Sequence, residues 1–127
     1  MRALLDTQAL FWWYGEPGKL SKRANSIIDD SSNNILVSAA TAWELSIKAA
    51  IGKIDALSMV MDLSKFIAEE GFAEIPITIS QATRAGLLPL HHRDPFDRLL
   101  VAQAQDQNIP IVSSDRLLDL YDVKRLW

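Results

Sequence analysis

The sequence predicts an α/β fold in which a mostly parallel, five-stranded sheet lies between helical layers. Two observations predict it. Short apolar runs, several of them β-branched, recur along the chain, and stretches with apolar residues at helical spacing separate them. Strands that alternate with helices pair in parallel, because each return to the same end of the sheet needs a crossover. In such folds the functional crevice lies outside the carboxyl ends of the strands.

The elements follow in order. Ala3-Leu4-Leu5 is the first strand, short and apolar. Thr7 to Tyr14 is helical and stops at Gly15. Ser21 to Asp30 is a second helix with Ser21 as its N-cap. Ile35-Leu36-Val37 is the second strand. Ala40 to Ala50 carries Trp43, Ile47, Ala50 and Ile51 at helical spacing, and Gly52 ends it. Val60 to Glu70 repeats that pattern with Leu63, Phe66 and Ile67, and ends at Gly71. Ala73 to Thr78 is the third strand, and Pro76 inside it points to a sheet edge, since proline has no N–H for the ladder. Ser80 to Leu87 is a short helix. Asp94-Pro95 opens the next, which runs to about Gln107. Ile109 to Val112 is the fourth strand, Arg116 to Tyr121 a helical turn or two, and Val123 to Trp127 a short fifth strand.

The 127 residues read as a single domain, 1–127, without repeat, low-complexity tract or linker. That length can bury a core without staples. There is no cysteine, which excludes disulfides and thiolate metal sites and fits a cytoplasmic protein in a reducing cytosol. No apolar run approaches the roughly 18 residues that span a membrane. Asp6 interrupts the first apolar residues at once, unlike a signal peptide. The net charge of −3 argues against a broad basic face for nucleic acid. A bound cation would reverse that balance locally.

The acids fall where an α/β fold keeps its site. Asp6 follows the first strand, and Asp115 follows the fourth after Ser113-Ser114. Asp97 lies in the first turn of the helix opened by Asp94, and Glu44 lies early in the helix after the second strand. The fold turns all four towards one edge of the sheet. Crowded carboxylates repel one another unless a cation joins them, and Mg²⁺ or Mn²⁺ suits carboxylate oxygen. Two such ions about 4 Å apart can stabilise the attacking and leaving oxygens of a phosphodiester. Each acid also has a plainer reading. Asp6, Asp94 and Asp115 precede helices, where aspartate caps. Glu44 and Lys48 are spaced as a surface ion pair.

These residues resemble a known family. Leu4-Leu5-Asp6-Thr7, Ser38-Ala39-Ala40-Thr41-Ala42-Trp43-Glu44-Leu45, His92-Arg93-Asp94-Pro95-Phe96-Asp97-Arg98 with the following Ala102-Gln103-Ala104, and Ile111-Val112-Ser113-Ser114-Asp115 are similar to the PIN-domain nucleases, most closely the VapC-type toxins of toxin–antitoxin pairs. The resemblance implies a PIN-like three-layer fold and cleavage of RNA that depends on Mg²⁺ or Mn²⁺. It places the catalytic, metal-binding acids on Asp6, Glu44, Asp97 and Asp115, with Thr7 and Ser113 at hydroxyl positions. Gln8 stands where relatives often have histidine, which bears on substrate contacts and leaves the acids intact. The resemblance further implies a homodimer and a small antitoxin whose tail enters the groove.

Other residues invite roles. His91-His92 could ligate, but imidazole suits softer metals than magnesium, and a solvated turn is the plainer reading. Arg93 and Arg98 could contact RNA phosphate, and Arg98 could equally pair with a carboxylate. Trp12-Trp13-Tyr14 cannot all bury against one core, so at least one is exposed, which favours a dimer or antitoxin contact over stacking on bases. Rival classes fit less well. A phosphoacceptor domain needs an acid ending the third strand, where Ile77-Thr78-Ile79 stands. A haloacid-dehalogenase-type phosphatase needs Asp-x-Asp, where Asp6-Thr7-Gln8 stands. A catalytically degenerate PIN-fold binding module would lack one of the four acids.

Overall fold

A computed structural model describes residues 1–127. The chain forms β1 (Arg2–Leu5), α1 (Thr7–Gly15), α2 (Lys22–Asp29), β2 (Asn34–Ser38), α3 (Ala39–Ala50), α4 (Leu57–Met61), α5 (Leu63–Glu69), β3 (Ala73–Ile75), α6 (Ile79–Leu87), α7 (Pro95–Gln107), β4 (Ile111–Val112) and β5 (Arg125–Leu126). Short 3-10 turns at Pro17–Lys19 and Arg116–Leu120 complete it. The five strands run in the order β3-β2-β1-β4-β5, and every pairing is parallel.

The strands are apolar throughout because both faces of the sheet are covered. Side chains alternate across a strand. Accordingly Ala3, Leu5, Ile35, Val37 and Val112 pack into one apolar cluster with α1, α2, α4 and α5. Leu4, Leu36 and Ile111 pack into a second with α7, beside Leu118 and Tyr121. The chain moves outward from β1 to β2 and β3, then returns to the other side of β1 with β4. The order reverses between β1 and β4, so a crevice opens at their carboxyl ends.

Three boundaries differ from the sequence reading. The helix expected over Val60 to Glu70 is two helices, α4 and α5, with Asp62 at φ −116° and ψ 24° between them. Met59, Leu63 and Ile67 all face the same cluster across the bend, so the four-residue apolar spacing hides the break. The third strand ends at Ile75, because Pro76 has no N–H to continue the ladder; β3 is an edge strand, as the proline suggested. Thr78 then caps α6 in a capping box with Gln81. The fourth and fifth strands keep only two residues each.

Leu4 is fully buried between the sheet and α7. Leu4→Ala is expected to lower unfolding stability by about 2–5 kcal/mol, measured by urea denaturation. A loss below about 1 kcal/mol would show that this face of the sheet is not closely packed.

Candidate active site

Local helix chemistry sets the position of each acid. Asp6 leaves β1 in an extended conformation and caps α1, its Oδ1 accepting the Ala9 N–H at 2.7 Å. Asp115 follows β4, and its Oδ1 accepts the Leu117 N–H at 3.0 Å to cap the 3-10 turn. The Asp115 N–H donates to the buried Ser113 hydroxyl at 3.0 Å. Asp94 caps α7, its Oδ1 accepting the N–H groups of Phe96 and Asp97 at 2.8 and 3.3 Å. That cap aims Asp97, in the first turn of α7, at the crevice. Glu44 comes from α3 and is only 4% exposed. Lys48 Nζ lies 2.6 Å from its Oε2, so the i,i+4 pair exists, but its acid is buried rather than on the surface.

All four acids, with Asp94, Thr7, Lys48, Phe11 and Trp12, line one cleft of about 350 Å³ at the carboxyl ends of β1 and β4. Thr7 Oγ1 pairs with Thr41 Oγ1 at 3.2 Å beneath it. A larger groove, about 840 Å³, runs beside α3, α5 and β3, but its walls are mainly apolar and none of the four acids lines it. The chemistry lies in the smaller cleft.

Burial and mutual repulsion dominate the electrostatics. Burial raises the Asp6 carboxyl to about 6, against the opposing effect of the Ser113 hydroxyl and the Ala9 N–H; Asp115 and Glu44 add to the rise. Burial raises Asp97 to about 7, with Asp94 adding, His92 opposing, and Asp6 and Glu44 adding further. Glu44 Oε1 is buried with no hydrogen-bond partner. A bare buried carboxylate oxygen among three other acids is where a hard divalent cation fits, and an all-oxygen donor set from four carboxylates suits Mg²⁺ or Mn²⁺. On that test the residues present fit the ion that the sequence led us to expect.

Two expectations need correction. Arg98 contacts neither phosphate nor carboxylate. Its guanidinium is buried and donates to the carbonyls of Ala85, Leu88 and Pro89 at 2.9, 2.9 and 3.0 Å, which closes the loop between α6 and α7. The five donors of a planar guanidinium suit several carbonyls at once, and no sequence spacing reveals that use. His92 is not in a solvated turn. Its Nε2 lies 2.7 Å from Asp115 Oδ2 and 3.2 Å from Asp97 Oδ2, and the three groups lie close enough to share one ion. Its proximity to Asp94 in sequence was the only available signal. Arg93 is exposed. Of the aromatic run, Tyr14 is the exposed member and packs on Phe66, Trp13 packs on Phe72, and Trp12 lines the cleft beside Trp127.

The fold and the cleft together define a parallel α/β protein with four carboxylates gathered at the carboxyl ends of its central strands. Comparison with known proteins narrows this. Residues 3–124 match the PIN domain family, and the chain belongs to it. Ribonuclease VapC22 of Mycobacterium tuberculosis is 33% identical over 116 residues, which cover 91% of this chain and 88% of that protein. Among solved structures, VapBC2 from Rickettsia felis, bound to a promoter DNA fragment, matches at TM-score 0.70 with 14% identity over the whole of both chains. FitAcB from Neisseria gonorrhoeae matches at 0.63 with 16% identity, covering 97% of this chain and 95% of that one. A toxin–antitoxin complex from Klebsiella pneumoniae matches at 0.59 with 20% identity, covering 89% and 86%. The structural likenesses establish the fold.

The raised carboxyls fix a pH dependence. Asp6 and Asp97 hold their protons more tightly folded than unfolded, where the ordinary value is 3.8. Their contribution to stability is complete below that value and is lost as pH rises through about 6 to 7. The melting temperature of metal-free protein is therefore expected to fall between pH 5 and pH 7.5. Asp97→Asn should flatten that fall and melt higher than wild type at pH 7.5. A variant with the wild-type slope would show that Asp97 carries no such strain.

Proposed function

We propose that this chain is a VapC-type, metal-dependent endoribonuclease that cuts RNA phosphodiester bonds as the toxin of a toxin–antitoxin pair. The observation that carries the reading is the convergence of Asp6, Glu44, Asp97 and Asp115 in one cleft, with buried Glu44 Oε1 left bare, in a PIN-domain chain. The related ribonuclease from Mycobacterium tuberculosis supports the reaction, and the toxin–antitoxin complexes among the structural neighbours support the partner. The four carboxylates would hold Mg²⁺ or Mn²⁺. The bound ion supplies an activated water and neutralises charge at the phosphate.

The chain's own residues do the rest. Asp94 and the α7 first turn hold Asp97 towards the cleft, and the Asp6 cap fixes the floor. Trp12 and Phe11 form an apolar wall beside the acids, on which an unpaired base can stack. Arg93, exposed one residue before Asp94, would meet phosphate through charge-assisted bonds. A basic side chain from an antitoxin would satisfy the same acids and so block the site. We place the working protein in the cytoplasm as a single-domain homodimer. The degenerate binding-module reading loses ground, because no acid is missing from the cleft.

Cleavage of single-stranded RNA by purified chain is expected with Mn²⁺ or Mg²⁺, and not in chelator. Asp6→Asn and Asp97→Asn should each abolish it while the fold survives, since asparagine keeps the shape and an oxygen for the Asp6 cap. Cleavage in chelator, or by either variant, would overturn the assignment. Trp12→Ala should raise KM for unpaired RNA with kcat little changed; an unaltered KM would remove the stacking role.

A further inference from the structure

The loop between α6 and α7 carries a side chain that this mechanism does not use. The His92 ring lies against two of the acids, with Nε2 at 2.7 Å from Asp115 Oδ2 and 3.2 Å from Asp97 Oδ2. Several restraints hold it. The His92 main-chain N–H donates to the Tyr121 hydroxyl at 2.9 Å, and that hydroxyl donates to the Pro89 carbonyl at 2.7 Å. The Arg98 clamp closes the same loop from beneath. The Asp94 main-chain N–H donates to His92 Nδ1 at 3.1 Å.

The last of these bonds decides what the ring can do. A ring nitrogen that accepts an N–H bond carries a lone pair, which puts the ring proton on the other nitrogen. The Asp94 amide therefore places the proton on Nε2, facing two carboxylate oxygens. Turning the ring over would put carbon at both contacts. Ligation of an ion through Nε2 needs the lone pair there. The proton would then sit on Nδ1, donor against donor with the Asp94 N–H, and that amide would lose its partner. The loop geometry thus favours a donor at Nε2 over a ligand.

We propose that His92 is a positioning residue of the cation site: its Nε2–H donates to Asp115 Oδ2 and lies against Asp97 Oδ2, so that the ring sets the two carboxylates relative to each other without ligating the ion itself. The inference rests on the metal-dependent reading above. Asp97 and Asp115 come from different elements, α7 and the segment after β4, and His92 hydrogen-bonds to Asp115 while its Nε2 lies 3.2 Å from Asp97 Oδ2. Partners that orient metal ligands in this way typically weaken ion affinity about 10–100-fold when removed.

The test combines nitrogen NMR of the wild-type imidazole, with and without Mg²⁺, and calorimetric Mg²⁺ titration of wild type, His92→Ala and His92→Gln. The proton is expected on Nε2 in both states. His92→Ala should bind Mg²⁺ about 10–100-fold more weakly, and His92→Gln, whose amide can donate from a similar position, should recover most of the loss. Loss of the Nε2 proton on adding Mg²⁺, or a proton on Nδ1, would overturn the positioning role and make His92 a ligand, with the metal reading intact. Unchanged affinity in His92→Ala would overturn it equally. Wild type that binds neither Mg²⁺ nor Mn²⁺ would overturn the metal reading and this role with it. The NMR arm needs no variant, so it decides even if His92→Ala fails to fold.

Discussion

Four carboxylates share one cleft with too little positive charge to balance them, and the rest of the site follows from that conflict. Lys48 reaches only one oxygen of Glu44, and its partner oxygen stays bare. His92 hydrogen-bonds to Asp115, with Nε2 3.2 Å from Asp97. What these groups leave unbalanced is visible in the raised carboxyls of Asp6 and Asp97, whose charged forms burial disfavours. A protein selected for stability alone would replace such a group with apolar side chains. A bound metal cation would remove the conflict, because it would supply the charge that the surrounding side chains lack.

The sequence set two readings of each aspartate against each other, helix cap or metal ligand, and the structure shows that they are compatible. A carboxylate has two oxygens with about four acceptor sites. Asp6 uses Oδ1 for the Ala9 N–H, and Asp115 uses Oδ1 for the Leu117 N–H. The cap holds the carboxylate in place, and both residues still line the cleft. Positioning the acids therefore costs little extra structure: the bonds that start α1 and the 3-10 turn are the bonds that aim the site. Asp94 extends the scheme by one step, since it caps α7 so that the neighbouring Asp97 is aimed.

The legible parts of the fold were those written in local pattern. Apolar runs marked β1, β2 and β4, Pro76 marked the edge of β3, and Ser21 marked the start of α2. Asp6, Glu44, Asp97 and Asp115 were found by their places after strands and in early helical turns, and the structure brings all of them to one cleft. Missed features depend on contacts distant in sequence. The bend at Asp62 keeps the apolar spacing of one helix while departing from its dihedrals. Arg98 spends its donors on carbonyls six to thirteen residues away, at positions that only the closed loop defines. His92 meets Asp115 across 23 residues of chain, so nothing in its immediate neighbours marks the contact.

The same conflict explains how a chain of net charge −3 can act on RNA. Proteins that bind nucleic acid through a broad basic face gain affinity by neutralising many phosphates at once. Here attraction is concentrated at the ion site, since the cleft would repel phosphate until a cation occupies it. Recognition then falls to the few groups around that point. On the proposed reading, Trp12 and Phe11, which line the cleft, would offer a face to an unpaired base. Such a site would favour flexible single strands over a rigid duplex, because only an unpaired base could leave its stack to meet the aromatic wall while its phosphate reached the acids. On the proposed reading, a bound cation would both enable the chemistry and turn the cleft from repelling RNA to holding it.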